Sequence, residues 1–226
     1  MRLGALFSGG KDSCYAIYKA MQKEDVVCLI SIISRNKESY MFHTPNIGLT
    51  KMQAKALGLP LVMRVTEGVK EDELTDLKDA INDAKERYKI EGIITGAIAS
   101  VYQSTRIQKI CDELGLLCFN PLWQKDQVAL LNELVENRFK VMITGVFAYG
   151  LDEGWLGRMI DEETIKELVK LKDKYQMNPA GEGGEIETTV LDAPIFKKRV
   201  EILDSEKKAS GNSGILVIKK ARLVAK

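Results

Sequence analysis

Ser8-Gly9-Gly10-Lys11-Asp12-Ser13 follows the apolar run Leu3-Gly4-Ala5-Leu6-Phe7 and precedes Cys14, Ile17, Tyr18 and Met21, which are spaced as one face of a helix. The stretch reads as a strand, a turn the size of a phosphate, and a helix. Two adjacent glycines let the backbone approach an anion, and the following helix aims unsatisfied N–H groups and the positive end of its dipole at the same place. Ser8 and Ser13 add hydroxyls, and Lys11 adds a mobile cation. The phosphate loop of kinases and GTPases requires Gly-Lys followed by Ser or Thr; here Asp12 follows Lys11, so phosphates would be held differently. A turn without a ligand would have no packing use for two serines, a lysine and an aspartate.

Outward from this turn, apolar runs at 3–7, 26–33, 61–65, 92–97 and 116–120 alternate with helical patterns at 13–23, 47–57, 71–88 and 103–114. That rhythm predicts an α/β fold, a parallel sheet flanked by helices. Ile107, Ile110, Cys111 and Leu114 share a face of the fourth helix, which Gly115 would end in a left-handed cap, as Gly58 would end the second. Ligands of such sheets sit at the carboxyl ends of the strands, where residues 8–13 lie. After Pro121-Leu122-Trp123 the pattern changes to a helix at 126–137, a strand at 140–147, a helix at 161–175, a Gly-rich loop, and a hairpin pairing 196–204 with 214–224 around residues 209–214. Residues 1–125 are thus expected to form a nucleotide domain and 126–226 a smaller α+β substrate-binding lobe.

A formal charge of +1 argues against a broad basic face for nucleic acid. No apolar run approaches the length of a membrane span, and Met1-Arg2-Leu3 leads into the first strand with no signal peptide, so a cytoplasmic protein is expected. Cys14, Cys28, Cys111 and Cys118 lack the paired spacing of zinc or redox motifs and read as reduced core thiols. With His43 the only histidine, a multi-histidine metal site is excluded. Oligomeric state is left open, homo-oligomers included.

Three further segments can carry ligand contacts. Asn178 to Thr188 packs Gly181, Gly183 and Gly184 among Glu182, Glu185 and Glu187, either a ligand loop or a solvated acidic turn. Tyr149 to Arg158 places Tyr149 and Trp155 among acids and an arginine, with packing the commoner role for a tryptophan. Thr95-Gly96-Ala97-Ile98 ends a predicted strand, and Gln103 and Arg106 follow in the next helix, as ligand contacts or as helix surface.

The hexapeptide resembles the PP-loop of the N-type ATP pyrophosphatases, which cut ATP between the α and β phosphates, transfer AMP to an oxygen of the substrate and release pyrophosphate. Together the segments resemble one branch, the diphthine-ammonia ligases. The resemblance runs through Ser39-Tyr40-Met41-Phe42-His43-Thr44, Gly96 with Gln103 and Arg106, Pro121-Leu122-Trp123, Gly150-Leu151-Asp152-Glu153 and Trp155-Leu156-Gly157-Arg158. It ends in Gly181-Glu182-Gly183-Gly184-Glu185-Ile186-Glu187-Thr188, the most specific motif, where Ile186 departs from the family's usual aromatic residue.

This resemblance implies an adenine nucleotide alpha hydrolase-like fold of PP-loop type, ATP and Mg²⁺ as cofactors, and amidation of diphthine on translation elongation factor 2 with ammonium. It implies that Ser8, Gly9, Gly10 and Ser13 hold pyrophosphate, that Lys11 balances charge, and that Asp12 orients Mg²⁺ directly or through water, with Lys11, Asp12 and Ser13 catalytic. Gly96, Gln103 and Arg106 would complete the nucleotide site. Tyr149, Trp155, Gly181, Glu182, Gly183, Gly184, Glu185, Glu187 and Thr188 would bind substrate. An aromatic face on Tyr149 or Trp155 and one of the three glutamates would meet the trimethylammonium group of diphthine. His43 is as readily a structural hydrogen-bonding partner as a base. The chain has no glutaminase machinery, so free ammonium or a separate donor is expected. The competing readings are a PP-loop tRNA-modifying enzyme, disfavoured by charge and by the absence of an RNA-binding appendage; a ligase for a small carboxylate; and a non-catalytic ATP-binding sensor.

Overall fold

The computed structural model describes residues 1–36, 46–69 and 72–226. In the first part, β1 (Arg2–Leu6), β2 (Asp25–Ser34), β3 (Leu61–Thr66), β4 (Gly92–Ile94) and β5 (Leu117–Phe119) alternate with α1 (Lys11–Ala20), α2 (Thr50–Leu57), α3 (Asp72–Tyr88) and α4 (Val101–Leu114). The strands form one parallel sheet in the order β3-β2-β1-β4-β5. The chain winds outward from β1 in one direction and then in the other, so β1 is central and the loop after it lies at the switch point of the sheet. Gly58 and Gly115 end α2 and α4 in left-handed conformations, at φ 75° and 64°.

The second part contains α5 (Gln127–Glu136), β6 (Lys140–Val146), α6 (Glu162–Tyr175), β7 (Ile186–Asp192), β8 (Arg199–Ser210) and β9 (Ser213–Val224). Its strands form an antiparallel sheet in the order β7-β6-β9-β8. Two expectations need correction here. The acidic segment is a loop only as far as Glu185, and β7, absent from the sequence reading, begins at Ile186, so Glu187 and Thr188 stand on a strand. The hairpin also runs on to Ser210, with an irregularity in its register around Asp204, and turns tightly through Gly211 and Asn212. Near the loop, α1 starts at Lys11 with Gly10 as its cap residue, and β4 stops at Ile94, leaving Thr95 to Ala97 outside the strand.

One apolar cluster covers a face of the parallel sheet through β2, β4, α3 and α4, with Ile30, Ile81, Ile93 and Cys111 at its centre. A larger one is continuous between the two sheets: Leu3, Tyr15 and Ile17 pack with Leu130, Ile143 and Val190. Cys14, Cys28 and Cys111 are buried and Cys118 is partly buried, and none forms a disulfide. Burial pushes the Cys28 thiol up to about 12.

Polar contacts stitch the sheets at the loop. Gln53 of α2, 1 % exposed, donates through Nε2 to the carbonyls of Gly9 at 2.9 Å and Val190 at 2.8 Å. The Val190 N–H donates to the same Gly9 carbonyl at 3.0 Å. Farther out, Lys197 N–H donates to the Ala56 carbonyl, and Asn46 exchanges hydrogen bonds with Leu216 and Ile218. Gln53→Leu removes both side-chain donations and leaves the Val190 carbonyl without its buried partner. We expect a loss of about 2–3 kcal/mol in urea unfolding.

Candidate active site

The site grows from the start of α1. Gly9 takes φ 78°, and a Cβ there would stand 2.0 Å from Gln53 Oε1, so only glycine fits. No side chain of the cap residue closes the helix N-terminus. The Lys11 N–H instead reaches across to Thr188 Oγ1 at 3.1 Å. Ser13 Oγ donates to the Gly10 carbonyl and lies 3.2 Å from Ser8 Oγ, while Ser8 itself is exposed. Lys11 is 2 % exposed, with Nζ 2.8 Å from Asp12 Oδ2. The other carboxylate oxygen, Asp12 Oδ1, is buried without a hydrogen-bond partner. These observations fit a phosphate-bearing ligand with a cation: a helix start without a cap of its own, a buried ammonium, and an acceptor oxygen with nothing to accept from.

Gly96 comes to the loop for a steric reason. A Cβ there would lie 2.8 Å from Ser13 N and 2.9 Å from the Asp12 carbonyl carbon, so the segment after β4 can touch the first turn of α1 only as glycine. Farther along this wall, Ser100 caps α4 by accepting from Gln103 N–H. The Arg106 guanidinium lies over the Tyr102 ring at 3.6 Å. Glu182 closes the same helix end, its Oε1 accepting from Ala99 N–H at 2.8 Å and Ser100 N–H at 2.9 Å. The acidic loop is thereby tied to the start of α4.

The three glutamates of that loop have different jobs. Glu185 folds inward, accepting from both nitrogens of Asn178 and from Gly183 N–H, and so closes its own loop, as does the bond from Gly184 N–H to the Gly181 carbonyl. Glu182 stands close enough to Lys11 and Asp12 to feel both; burial raises its carboxyl above the usual range against the pull of its two amide donors. The Glu187 side chain, on β7, makes no hydrogen bond among the described residues, and burial pushes its carboxyl up to about 7, with Lys11 opposing the rise and Asp12 adding to it.

The two aromatic candidates fall elsewhere. Trp155 is buried, and its ring face carries the Arg158 guanidinium at 4.3 Å, which is itself paired with Glu167. It is a packing residue, and its face is not available to a substrate cation. Tyr149 is exposed and meets Tyr175 edge-on at 5.0 Å. His43 and the segment 39–44 lie outside the described residues. Sequence reading missed Gln53, although it stands on the apolar stripe of α2 with Ala56 and Leu57, where a polar residue signals a buried hydrogen-bonding task.

Two outcomes follow from this geometry. Gly96→Ala drives a methyl group into backbone that cannot yield cheaply; we expect a loss of about 1–3 kcal/mol in thermal or urea unfolding, and a weaker grip on ATP measured by titration. Glu187 in the folded protein keeps its proton over a range where the unfolded chain has lost it, so its contribution to stability falls as pH climbs from the ordinary value of 4.5 to about 7. Glu187→Gln should therefore be more stable than the parent at pH 8, by on the order of 2 kcal/mol, with the gap closing toward pH 4 in urea titrations.

Comparison with known families agrees with this assembly. The family described as diphthamide synthase N-terminal domain matches residues 1–118, and that described as diphthamide synthase C-terminal domain matches residues 126–224. A diphthine--ammonia ligase from Homo sapiens is 36% identical, with 91% of this chain and 84% of that protein covered. One from Schizosaccharomyces pombe is 34% identical over 91% of this chain but only 37% of its own, longer length. A solved structure titled as a predicted subunit of tRNA methyltransferase from Methanocaldococcus jannaschii is similar at 17% identity and a TM-score of 0.43, covering 86% of this chain and 98% of that one. With both family matches together spanning nearly all of it, the chain belongs to the diphthamide synthase family.

Proposed function

We propose that the chain amidates the diphthine residue of translation elongation factor 2 to diphthamide, consuming ammonium and ATP and releasing AMP and pyrophosphate. The observation that carries this reading is the start of α1, where a buried Lys11 and the unpartnered Asp12 Oδ1 meet beside the acidic loop and β7. A carboxylate cannot lose an oxide ion to ammonia; ATP supplies the activation, because a carboxylate oxygen that displaces pyrophosphate from the α phosphate becomes part of a mixed anhydride. Ammonia then attacks the acyl carbon, AMP leaves with the oxygen, and the surplus protons pass to solvent.

In this reading the backbone N–H groups of Gly9 and Gly10 and the hydroxyls of Ser8 and Ser13 bind the departing pyrophosphate. Lys11 neutralises charge that grows on the bridging oxygen as it separates from the α phosphate. Asp12 would hold Mg²⁺ through Oδ1, directly or through water, and the ion would supply further neutralisation. Gly96 gives the segment after β4 its close approach, and Gln103 and Arg106 stand on α4 on the nucleotide side. Gly181, Glu182, Gly183, Gly184 and Glu185 shape the substrate wall, Glu187 presents a carboxylate to it, and Thr188 ties that wall to the loop. Residues 1–125 form the ATP-binding unit and 126–226 the substrate-binding lobe. No helix among the described residues is long and apolar enough to cross a membrane, and we assign the chain to the cytoplasm, where elongation factor 2 works.

The test is release of AMP and pyrophosphate from Mg-ATP and ammonium, with elongation factor 2 carrying diphthine or unmodified histidine. Release with diphthine alone, accompanied by the mass change of hydroxyl replaced by amino on the factor, is expected. ATP binding without turnover on either protein would overturn the reading. Lys11→Ala should lower pyrophosphate release by about 10²–10³; a fall of less than about threefold would remove Lys11 from its assigned role.

A further inference from the structure

Ser100-Val101-Tyr102-Gln103, at the start of α4, has the Ser-x-x-Gln spacing of a capping box. In such a box the serine hydroxyl accepts from the backbone N–H of the glutamine, and the glutamine side chain returns to accept from the backbone N–H of the serine. Only the first half is made here. Ser100 Oγ accepts from Gln103 N–H at 3.3 Å, but the Ser100 N–H donates to Glu182 Oε1 at 2.9 Å, which accepts from Ala99 N–H as well. The Gln103 side chain is partly buried and makes no hydrogen bond among the described residues.

Glu182 has the stronger claim to that N–H. A carboxylate is a better acceptor than a neutral amide, and it stands where the dipole of a 14-residue helix favours negative charge. It comes from a loop that folds as a unit: Gly184 N–H donates to the Gly181 carbonyl, and Glu185 gathers in Asn178 and Gly183. Other hydrogen bonds from residues 178–185 go to Gln127 and Phe147, in the second half of the chain. Among the described residues, Glu182 alone hydrogen-bonds this loop to the first half. The segment it grips starts at Gly96, which packs against the backbone of Asp12 and Ser13. We propose that Glu182 is a positioning residue that couples the two halves of the site: by taking the Ser100 N–H it fixes the substrate loop and keeps the Gln103 carboxamide free for the nucleotide. When Glu182 lets go, Gln103 folds back to complete the capping box, and the loop loses its hydrogen-bonded connection to the first half.

This deepens the ligase reading and rests on it for the identity of the two ligands. A ligase that adenylates a carboxylate on another protein gains from completing its nucleotide contacts only when the substrate wall is in place, because ATP activated early is lost to water. One backbone N–H with two acceptors competing for it is a two-state element of the kind that coupling requires. A substrate that settles the loop strengthens the grip on nucleotide, and a nucleotide that engages Gln103 removes the competitor of Glu182. By linkage the two effects are equal in size.

The experiment titrates α,β-methylene ATP with Mg²⁺, which cannot release pyrophosphate, into the intact protein by calorimetry, alone and with diphthine-bearing elongation factor 2 present. In the parent the factor should tighten the analogue by about tenfold. Glu182→Ala should shrink that gain to within about twofold, whereas Glu182→Gln, whose amide oxygen can accept both N–H groups, retains most of it. Gln103→Glu leaves the acidic loop untouched but offers the Ser100 N–H a carboxylate from its own helix, and should reduce the gain likewise. The exchange itself is read without the factor. Glu182→Ala should weaken the analogue about threefold and Gln103→Ala about fivefold, and the double variant should bind no more weakly than Gln103→Ala. Independent losses, about fifteenfold in the double variant, would overturn the exchange. A gain undiminished in both Glu182→Ala and Gln103→Glu, or absent from the parent, would overturn the coupling. The two readings fail separately: a parent that couples the ligands through Glu182 but never releases AMP keeps the coupling and loses the ligase, whereas one that turns over with independent losses loses the exchange alone.

Discussion

The carbonyl of Gly9 accepts two hydrogen bonds from outside its own loop, one from Gln53 Nε2 and one from Val190 N–H. That constraint organises much of what lies around it. It turns the Gly9 peptide toward the antiparallel sheet, requires the positive φ that only glycine adopts without strain, and leaves the start of α1 facing the open end of the parallel sheet. It also explains why the two sheets share a continuous core. A loop whose backbone is held from the other sheet needs that sheet in fixed register, and the packing of Tyr15 and Ile17 with Leu130 and Val190 supplies it.

The same region carries groups that a structure built for stability alone would avoid. Asp12 Oδ1 is buried without a donor, and the Glu187 carboxyl has no counter-charge in hydrogen-bonding contact among the described residues. Each costs folding free energy, and each faces a place where a ligand would supply the missing partner. Their concentration around one loop, while the remainder of the apolar core is well packed, is the physical signature of a site held ready for charge.

Much of this was legible in the chain. The strand, turn and helix around Ser8 to Ser13, the alternation as far as Phe119, and the left-handed caps at Gly58 and Gly115 follow from local patterns that tertiary structure had no reason to override. β7 escaped because its run of Thr188, Thr189 and Val190 directly follows a glycine-rich loop, and the polar threonines look like more of that loop until they are paired with β6. Among the site residues, Lys11 and Asp12 announce themselves by composition. Glu182, Glu185 and Glu187 do not reveal that one caps a helix, one closes a loop and one stays unpaired, because three neighbouring acids look alike until the loop has folded: Glu185 turns back onto Asn178, whereas Glu182 reaches the start of α4. Trp155, open in the sequence to either packing or a ligand, takes the packing role because Arg158, a near neighbour along the chain, turns back over its ring.

The distance along the chain between the two ends of this arrangement bears on biogenesis. Lys11 emerges from the ribosome early, yet the threonine that receives its N–H lies 177 residues later, and Val190 follows that. The five parallel strands are all synthesised before either partner exists. A nascent chain can therefore build its first sheet while the loop after β1 remains loose, and the loop tightens only when β7 docks.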